Sequence, residues 1–267
     1  LTDAGAAVVV FDKYYDRDFP DETGALVEAI AKVTERGTHV VIGALDRPPP
    51  APLVDAGAWV GSLRAIQSGF DDSVGRLCTR FPLVDGTEVP SLFLRAHCLL
   101  REAPAHAADR REEVARCEDE ILSEDPEWQL RYGREPIPSL RLPDVLSWSL
   151  EDLREEVLGK AVFVGHFGEG VDEVSAAAVP SMEPTASGMV HGVMLLATAF
   201  NQLDRNVRWT PLGATPTVLL FLVLGAVPFL LLRKQRWPRA WVAALVTVTL
   251  AAVAGLALPV DYPWGAA

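Results

Sequence analysis

Residues 6–44 read AAVVVFDKYYDRDFPDETGALVEAIAKVTERGTHVVIGA. The two ends of this stretch, AAVVVF (6–11) and THVVIGA (38–44), are short, valine-rich and nearly continuous in apolar character. That is the pattern of strands buried on both faces of a parallel sheet. Between them a polar loop holding Pro20 and Asp21 leads into residues 23–36, where Leu26, Ala29, Ile30 and Val33 recur at helical spacing and Gly37 stops the helix. Strand, helix, strand within about 40 residues is a βαβ unit with a right-handed crossover. The fold class that follows is α/β, a mostly parallel sheet with flanking helices.

Outward from this unit, a proline-rich loop (48–52) precedes a short helix and a strand at 58–63. Residues 71–76 (DDSVGR) read as a turn, followed by an alternating strand at 77–83 and the Asp85-Gly86 turn, an antiparallel hairpin addition to the sheet. Ser91 caps by position an apolar, buried helix at 91–100. In residues 101–134 charges crowd in, and Val114, Cys117, Ile121 and Leu122 leave one narrow apolar stripe, the mark of an inserted surface helix. Residues 144–158 are helical. AVFVG (161–165) is a third buried strand, and a loop rich in glycine and acid (166–173) follows it. Residues 188–203, with Val190, Val193, Leu195, Leu196, Ala199, Phe200 and Leu203, form a mostly buried helix.

The character changes after residue 210. Residues 211–232 and 240–260 carry no charge and are dominated by Leu, Val, Ala and Phe. At about 1.5 Å rise per residue, 21 residues make roughly 32 Å of helix, enough for a hydrocarbon core of about 30 Å. Trp209, Trp237, Trp241, Tyr262 and Trp264 flank the two runs as an aromatic belt would. A buried core hairpin would show shorter runs broken by polar residues. The turn at 233–239, RKQRWPR, has four cations and no acid. Positive loops stay in the cytoplasm, so residues 1–210 are expected outside it, with 261–267 beginning an outer loop. The chain opens at Leu1 with neither Met nor a signal peptide and stops at Ala267, and it reads as a fragment. Two spans would leave the end of the chain outside, so the hairpin is expected to be part of a larger bundle.

Removing the four basic residues of the turn and Asp261 leaves 20 Lys and Arg against 35 Asp and Glu before residue 211, a formal charge of −15. So acidic a surface disfavours nucleic acid and anionic lipid as partners. Cys78, Cys98 and Cys117 form no metal-binding spacing with the five histidines. If one disulfide forms, Cys98–Cys117 is the pair; the odd count and the lack of a short motif favour three buried thiols instead.

Five stretches in order carry a family resemblance: AGAAVVVFD (4–12), DDSVGR (71–76) with FPL (81–83), VPSL (89–92), LGKAVFVG (158–165) and HGV (191–193). Their order and spacing are similar to those of the type-two CHASE domain, across most of residues 4–205, and Asp172 falls where that family often has an Asp. Each stretch alone is common in α/β proteins. The chain departs from the family at Met194 and Leu196, where Glu and His are usual, which puts any ligand role of those two positions in question. The resemblance implies an extracytoplasmic sensor of a bacterial transmembrane receptor, coupled through membrane helices, commonly three, to a cytoplasmic kinase, cyclase or related output. Location in the bacterial inner or cytoplasmic membrane follows from it.

Ligands of open α/β sheets bind at the carboxyl ends of the strands, near a switch in strand order. Asp12, Gly165, His166 and Asp172 fall at such ends and are the candidate ligand-binding residues. Asp12 stays open between a ligand group and a structural one that caps a helix or bonds the loop backbone. The glycines of GHFGEG (165–170) match neither GxGxxG nor GxxxxGK[ST], and Glu169, Asp172 and Glu173 would repel phosphate. Asp71 and Asp72 lack the alternating oxygen ligands of a calcium loop. No catalytic residue, metal site or cofactor is expected. The expected partners are a small-molecule or environmental ligand, the lipid bilayer and, as an open alternative, a second copy of the chain. The competing class is a membrane-tethered extracytoplasmic hydrolase or binding protein, using the acids near Asp12 and Asp172.

Overall fold

The two valine runs lie side by side. In the computed structural model, residues 1–15, 20–64, 76–101, 107–124, 127–129, 137–165, 173–174 and 190–205 are described. The chain divides into two units, Leu1–Val207 and Arg208–Ala267, and every described residue belongs to the first. It opens with β1 (Val8–Tyr14), α1 (Pro20–Glu35), β2 (His39–Ala44), α2 (Ala51–Asp55) and β3 (Trp59–Ser62). Three short strands follow, β4 (Arg76–Cys78), β5 (Arg80–Pro82) and β6 (Glu88–Pro90), then α3 (Leu92–Arg101), α4 (Ala107–Glu124) and β7 (Glu127–Gln129). The rest is α5 (Leu142–Ser147), α6 (Leu150–Val157), β8 (Ala161–Val164), β9 (Glu173–Val174), β10 (Val190–His191) and α7 (Gly192–Asp204).

The central sheet has the order β3-β2-β1-β8 with every pair parallel. Val9 pairs with Val40 and with Val162, which sets the register across three strands. Successive side chains alternate between faces. Val8, Val10 and Val41 pack on one side with Leu92, Phe93 and Leu99 of α3, Val114 and Ile121 of α4, and Leu195 and Ala199 of α7. On the other side Val40 and Ile42 meet Ile30 of α1 and Leu53 of α2, while Val9 meets Leu153 and Val157 of α6. Helices therefore cover both faces of a sheet whose central strands are apolar over Val8–Phe11 and Val40–Ala44. Each fully buried Val, Leu or Phe contributes about 1.5–3 kcal/mol by leaving water.

The Asp85-Gly86 turn forms as expected, with Gly86 at φ 82° and the Thr87 N–H donating to Asp85 Oδ1 at 2.9 Å. The strand expected at 77–83 is instead two. β4 pairs antiparallel with β7, β5 with β6, and buried Thr79 lies between. The helix expected over 144–158 is broken at Ser149, which starts α6 with a reciprocal capping box. Its Oγ accepts from the Asp152 N–H at 3.2 Å, and the Asp152 carboxylate accepts from the Ser149 N–H at 3.3 Å. β8 is half-buried, not fully buried, because it forms an edge of the sheet. α7 begins at Gly192, four residues later than expected, because residues 190–191 pair with 173–174. Ser91 does not act as a cap: its hydroxyl is buried without a hydrogen-bond partner among the described residues, while its N–H donates to the Thr79 carbonyl at 2.8 Å.

Two corrections concern the charged insertion. α4 is not a mere surface helix, since Val114, Cys117 and Ile121 are all buried in the main core. And Cys98 and Cys117 are not thiols but a disulfide, with Cα atoms 5.8 Å apart, tying α3 to α4. The odd cysteine count misled because it says nothing about which helices pack.

Among the described residues no helix is long and apolar enough to cross a membrane. The apolar runs at 211–232 and 240–260 and the turn at 233–239 lie outside the described residues, as do residues 71–75 of the DDSVGR turn.

Candidate functional site

Strand order sets where a ligand can enter. From β1 the chain moves to β2 and β3 on one side, and returns as β8 on the other. The carboxyl ends of β1 and β8 are thus the switch point, the place where open α/β sheets bind their ligands. Phe11 pairs with Val164, so Asp12 and Gly165 are the next residues of the two strands and stand together at that point. The structure brings together two of the four candidate residues; His166 and Asp172 lie outside the described residues.

Asp12 is half-buried and sits in an irregularity of β1. Phe11 pairs with Ile42, but the next paired residue of β1 is Tyr14, opposite Gly43. Asp12 and Lys13 thus bulge out of the ladder, a device that re-aims side chains near sheet ends. Gly43 makes the bulge possible: a Cβ there would lie 2.6 Å from the Lys13 carbonyl oxygen and 2.4 Å from Leu63. Beside the bulge, burial pushes the Tyr15 hydroxyl above its ordinary pKa, and the Lys13 ammonium lies 5.7 Å from the Tyr15 ring centroid. Further along the same edge Asp46 pairs with Arg64, whose guanidinium stacks 4.7 Å from the centre of Phe81.

Gly165 is small for a packing reason. A Cβ would lie 2.5 Å from Cβ of Val193, so the first turn of α7 rests directly on the end of β8. At the end of β3, Gly61 does the same for α3, since a Cβ would come within 2.8 Å of the Leu92 backbone, and Ser62 bridges to Ser91 in parallel. Consequently the carboxyl edge gathers the ends of VVVFD, AVFVG, HGV and VPSL, stretches far apart in sequence. Among the described residues no three His, Cys, Asp or Glu groups converge to hold a metal ion.

This convergence of separated stretches on one edge is what a family pattern looks like in three dimensions, and the family model of the CHASE2 domain matches residues 1–232. The chain belongs to the CHASE2 domain family. CHASE2 domains are sensory extracellular domains of signalling receptors. No curated protein and no solved structure matches the chain. Within this CHASE2 domain, Met194 and Leu196 belong to the core side of α7: Leu196 is buried, and Met194 packs against the same cluster as Val10 and Leu195.

A second polar cluster, at the opposite ends of the strands, was not visible in the sequence. Arg95 of α3 and Glu118 of α4 meet at 2.8 Å, both largely shielded from water, without the N–H pointing straight at the oxygen. Burial pushes Glu118 up to about 7 even with Arg95 and Arg80 favouring its charge, and burial lowers Arg95 despite Glu118. For both partners desolvation outweighs attraction. His39, at the start of β2, is held down to about 4 by burial and by the Arg110 guanidinium, whose Nη1 lies 3.3 Å from Nε2. Arginine only donates, so Nε2 accepts and Nδ1 carries the proton. His97 of α3 is lowered by burial, partly offset by Asp204 at 3.8 Å, and packs edge-on to Phe200 of α7. Helical periodicity shows Val114, Cys117 and Ile121, but Glu118 reads in sequence as one more charge on a charged helix.

Proposed function

We propose that this CHASE2 domain senses a small-molecule or environmental ligand outside the cytoplasm, at the switch point between β1 and β8. Asp12 and Gly165 line the site, with His166 and Asp172 on the loop that follows. The observation that carries the reading is the placement of Asp12, bulged from a buried strand beside Gly165 at the one point where strand order reverses. α7 starts over Gly165 and ends at Asp204, seven residues before the apolar run at 211–232. A ligand that favours one packing of α7 on β8 over another would pass its differential affinity along that helix.

From there membrane helices at 211–232 and 240–260, joined by the positive turn at 233–239, carry the signal to a cytoplasmic output module beyond this chain. The charge asymmetry supports that orientation, and the family match runs through residue 232. The Cys98–Cys117 disulfide supports an oxidising compartment for the domain, as outside a bacterial cytoplasmic membrane. The role is sensory and not catalytic, in keeping with its family.

The test is a thermal-shift screen of the full chain in detergent against a small-molecule library. Compounds that raise the transition of the native chain should fail to do so in Asp12→Asn, at unchanged melting temperature without ligand. Hits that stabilise Asp12→Asn equally would place the ligand elsewhere.

A further inference from the structure

Where α3 meets the carboxyl end of α7, two polar groups stop just short of each other. His97 of α3 is buried, and its Nδ1 is shut away from water with no hydrogen-bond partner among the described residues. Native structures rarely leave a buried polar atom so. The carboxylate it faces is that of Asp204 in α7, whose Oδ1 lies 3.8 Å from Nδ1, about an ångström too far for a hydrogen bond. Aromatic rings flank the imidazole, Phe200 edge-on at 6.3 Å and Phe163 against Phe200 at 5.3 Å.

Asp204 is the only ionisable side chain of α7, GVMLLATAFNQLD. It is half-exposed, and among the described residues its one ion-pair contact is His97. It also closes the helix, where the backbone dipole disfavours an acid and suits a cation. The other charges around α3 act elsewhere or against a proton on His97. Arg101, one turn further along α3, opposes positive charge there. The strands beneath α3 present Val8, Val10, Val41, Trp59 and Phe163. On α4, Glu118 is held by Arg95, and Arg110 lies against His39. Burial above all holds His97 below the ordinary imidazole pKa of 6.5, against the pull of Asp204, so it is neutral at pH 7.

We propose that His97 and Asp204 form a proton-operated latch on α7. In acid, Nδ1 takes up a proton from water, and the new N–H donates to the Asp204 carboxylate. The contact then closes to about 2.7–2.9 Å and fastens the last turn of α7 onto α3. The proton stays on the imidazolium, so both the unpartnered nitrogen and the lone acid of α7 are satisfied at once. The separation of 3.8 Å is the unlatched state. Because α7 precedes the apolar run at 211–232, the latch sets how firmly that end of the domain is held as its surroundings acidify. It lies at the other end of α7 from Val193 and Gly165, so it does not depend on the ligand site at Asp12.

Hydrogen exchange of the full chain in detergent tests it. Mass spectrometry follows residues 200–205 between pH 7 and about pH 5, corrected for the intrinsic pH dependence of exchange. One charge-assisted hydrogen bond should slow exchange there about tenfold or more in acid. Asp204→Asn and His97→Gln should each remove that gain; Asp204, being half-exposed, keeps the test decisive if His97→Gln fails to fold. Glu118 and His39 titrate alike in the native chain and in Asp204→Asn, so the difference between those two isolates the latch. The proposal is overturned if acid leaves exchange at 200–205 unchanged, if acid speeds it, or if either folded variant keeps the gain of the native chain.

Discussion

Arg95 on α3 and Glu118 on α4 meet at 2.8 Å beside the Cys98–Cys117 disulfide, so an ion pair and a covalent bond fasten the same two helices. The pair is adjacent in sequence to the bridge on α4 and one helical turn from it on α3. The two links differ in kind. The disulfide restricts the unfolded chain, whereas the ion pair is a strained choice in which both charges are held against their preference for water.

The disulfide is expected to matter most for the attachment of α4. With a sequence separation of 19 between its cysteines, the loop it closes is worth about 3 kcal/mol. Reduction, or the double substitution Cys98→Ala with Cys117→Ala, should lower the urea midpoint accordingly and expose residues 107–124 to limited proteolysis. An unchanged midpoint would show that packing alone holds the helix.

Glu118 and His39 should give the domain opposing pH dependences. The carboxyl of Glu118 is raised from 4.5 to about 7. Its contribution is fully present below pH 4.5 and is lost as pH rises through about 7. His39 is lowered from 6.5 to about 4, so its contribution is present above pH 6.5 and lost as pH falls through about 4. Denaturation of Glu118→Gln across pH 4.5–7 should therefore lack the downward slope that this carboxyl adds, while His39→Gln should lose less stability than the native chain toward pH 4.

Gly165 should tolerate no side chain while Val193 is in place. Gly165→Ala is expected to cost about 1–3 kcal/mol by overpacking. Adding Val193→Ala should recover part of that cost, because the two changes share one contact. Additive losses in denaturant unfolding would mean that α7 does not rest on β8 as described.

Gly43 should be less forgiving. The atom that an added Cβ meets is the Lys13 carbonyl oxygen of the bulge, which a side-chain rotation cannot clear. Gly43→Ala is expected to straighten or displace the bulge at Asp12, and Val193→Ala should not rescue it. Full rescue would link the two glycines through one displacement.

The valine runs at 6–11 and 38–44 made the parallel sheet legible, because a strand buried on both faces leaves no polar positions to confuse with a helix. The candidate site was legible through that same reading. Once β1 and β8 are known to be parallel strands, Asp12 and Gly165 fall at their ends by counting. The bulge that aims Asp12 was not legible, since it depends on Gly43 facing a carbonyl across the sheet. Nor was the Arg95–Glu118 pair, which exists only because α4 packs on α3. The break at Ser149 was readable in principle, as Ser149 and Asp152 have the spacing of a capping box, but the apolar residues on both sides suggested one continuous helix.

The central claim, a sensor domain held outside the cytoplasm, is tested most directly by labelling with a membrane-impermeant maleimide on spheroplasts. In a Cys78→Ser background, one variant carries Glu112→Cys, exposed on α4, and another Gln235→Cys in the positive turn. Labelling of Glu112→Cys on intact spheroplasts, with Gln235→Cys reacting only after lysis, is the predicted result. Labelling of Gln235→Cys from outside while Glu112→Cys stays protected would contradict it.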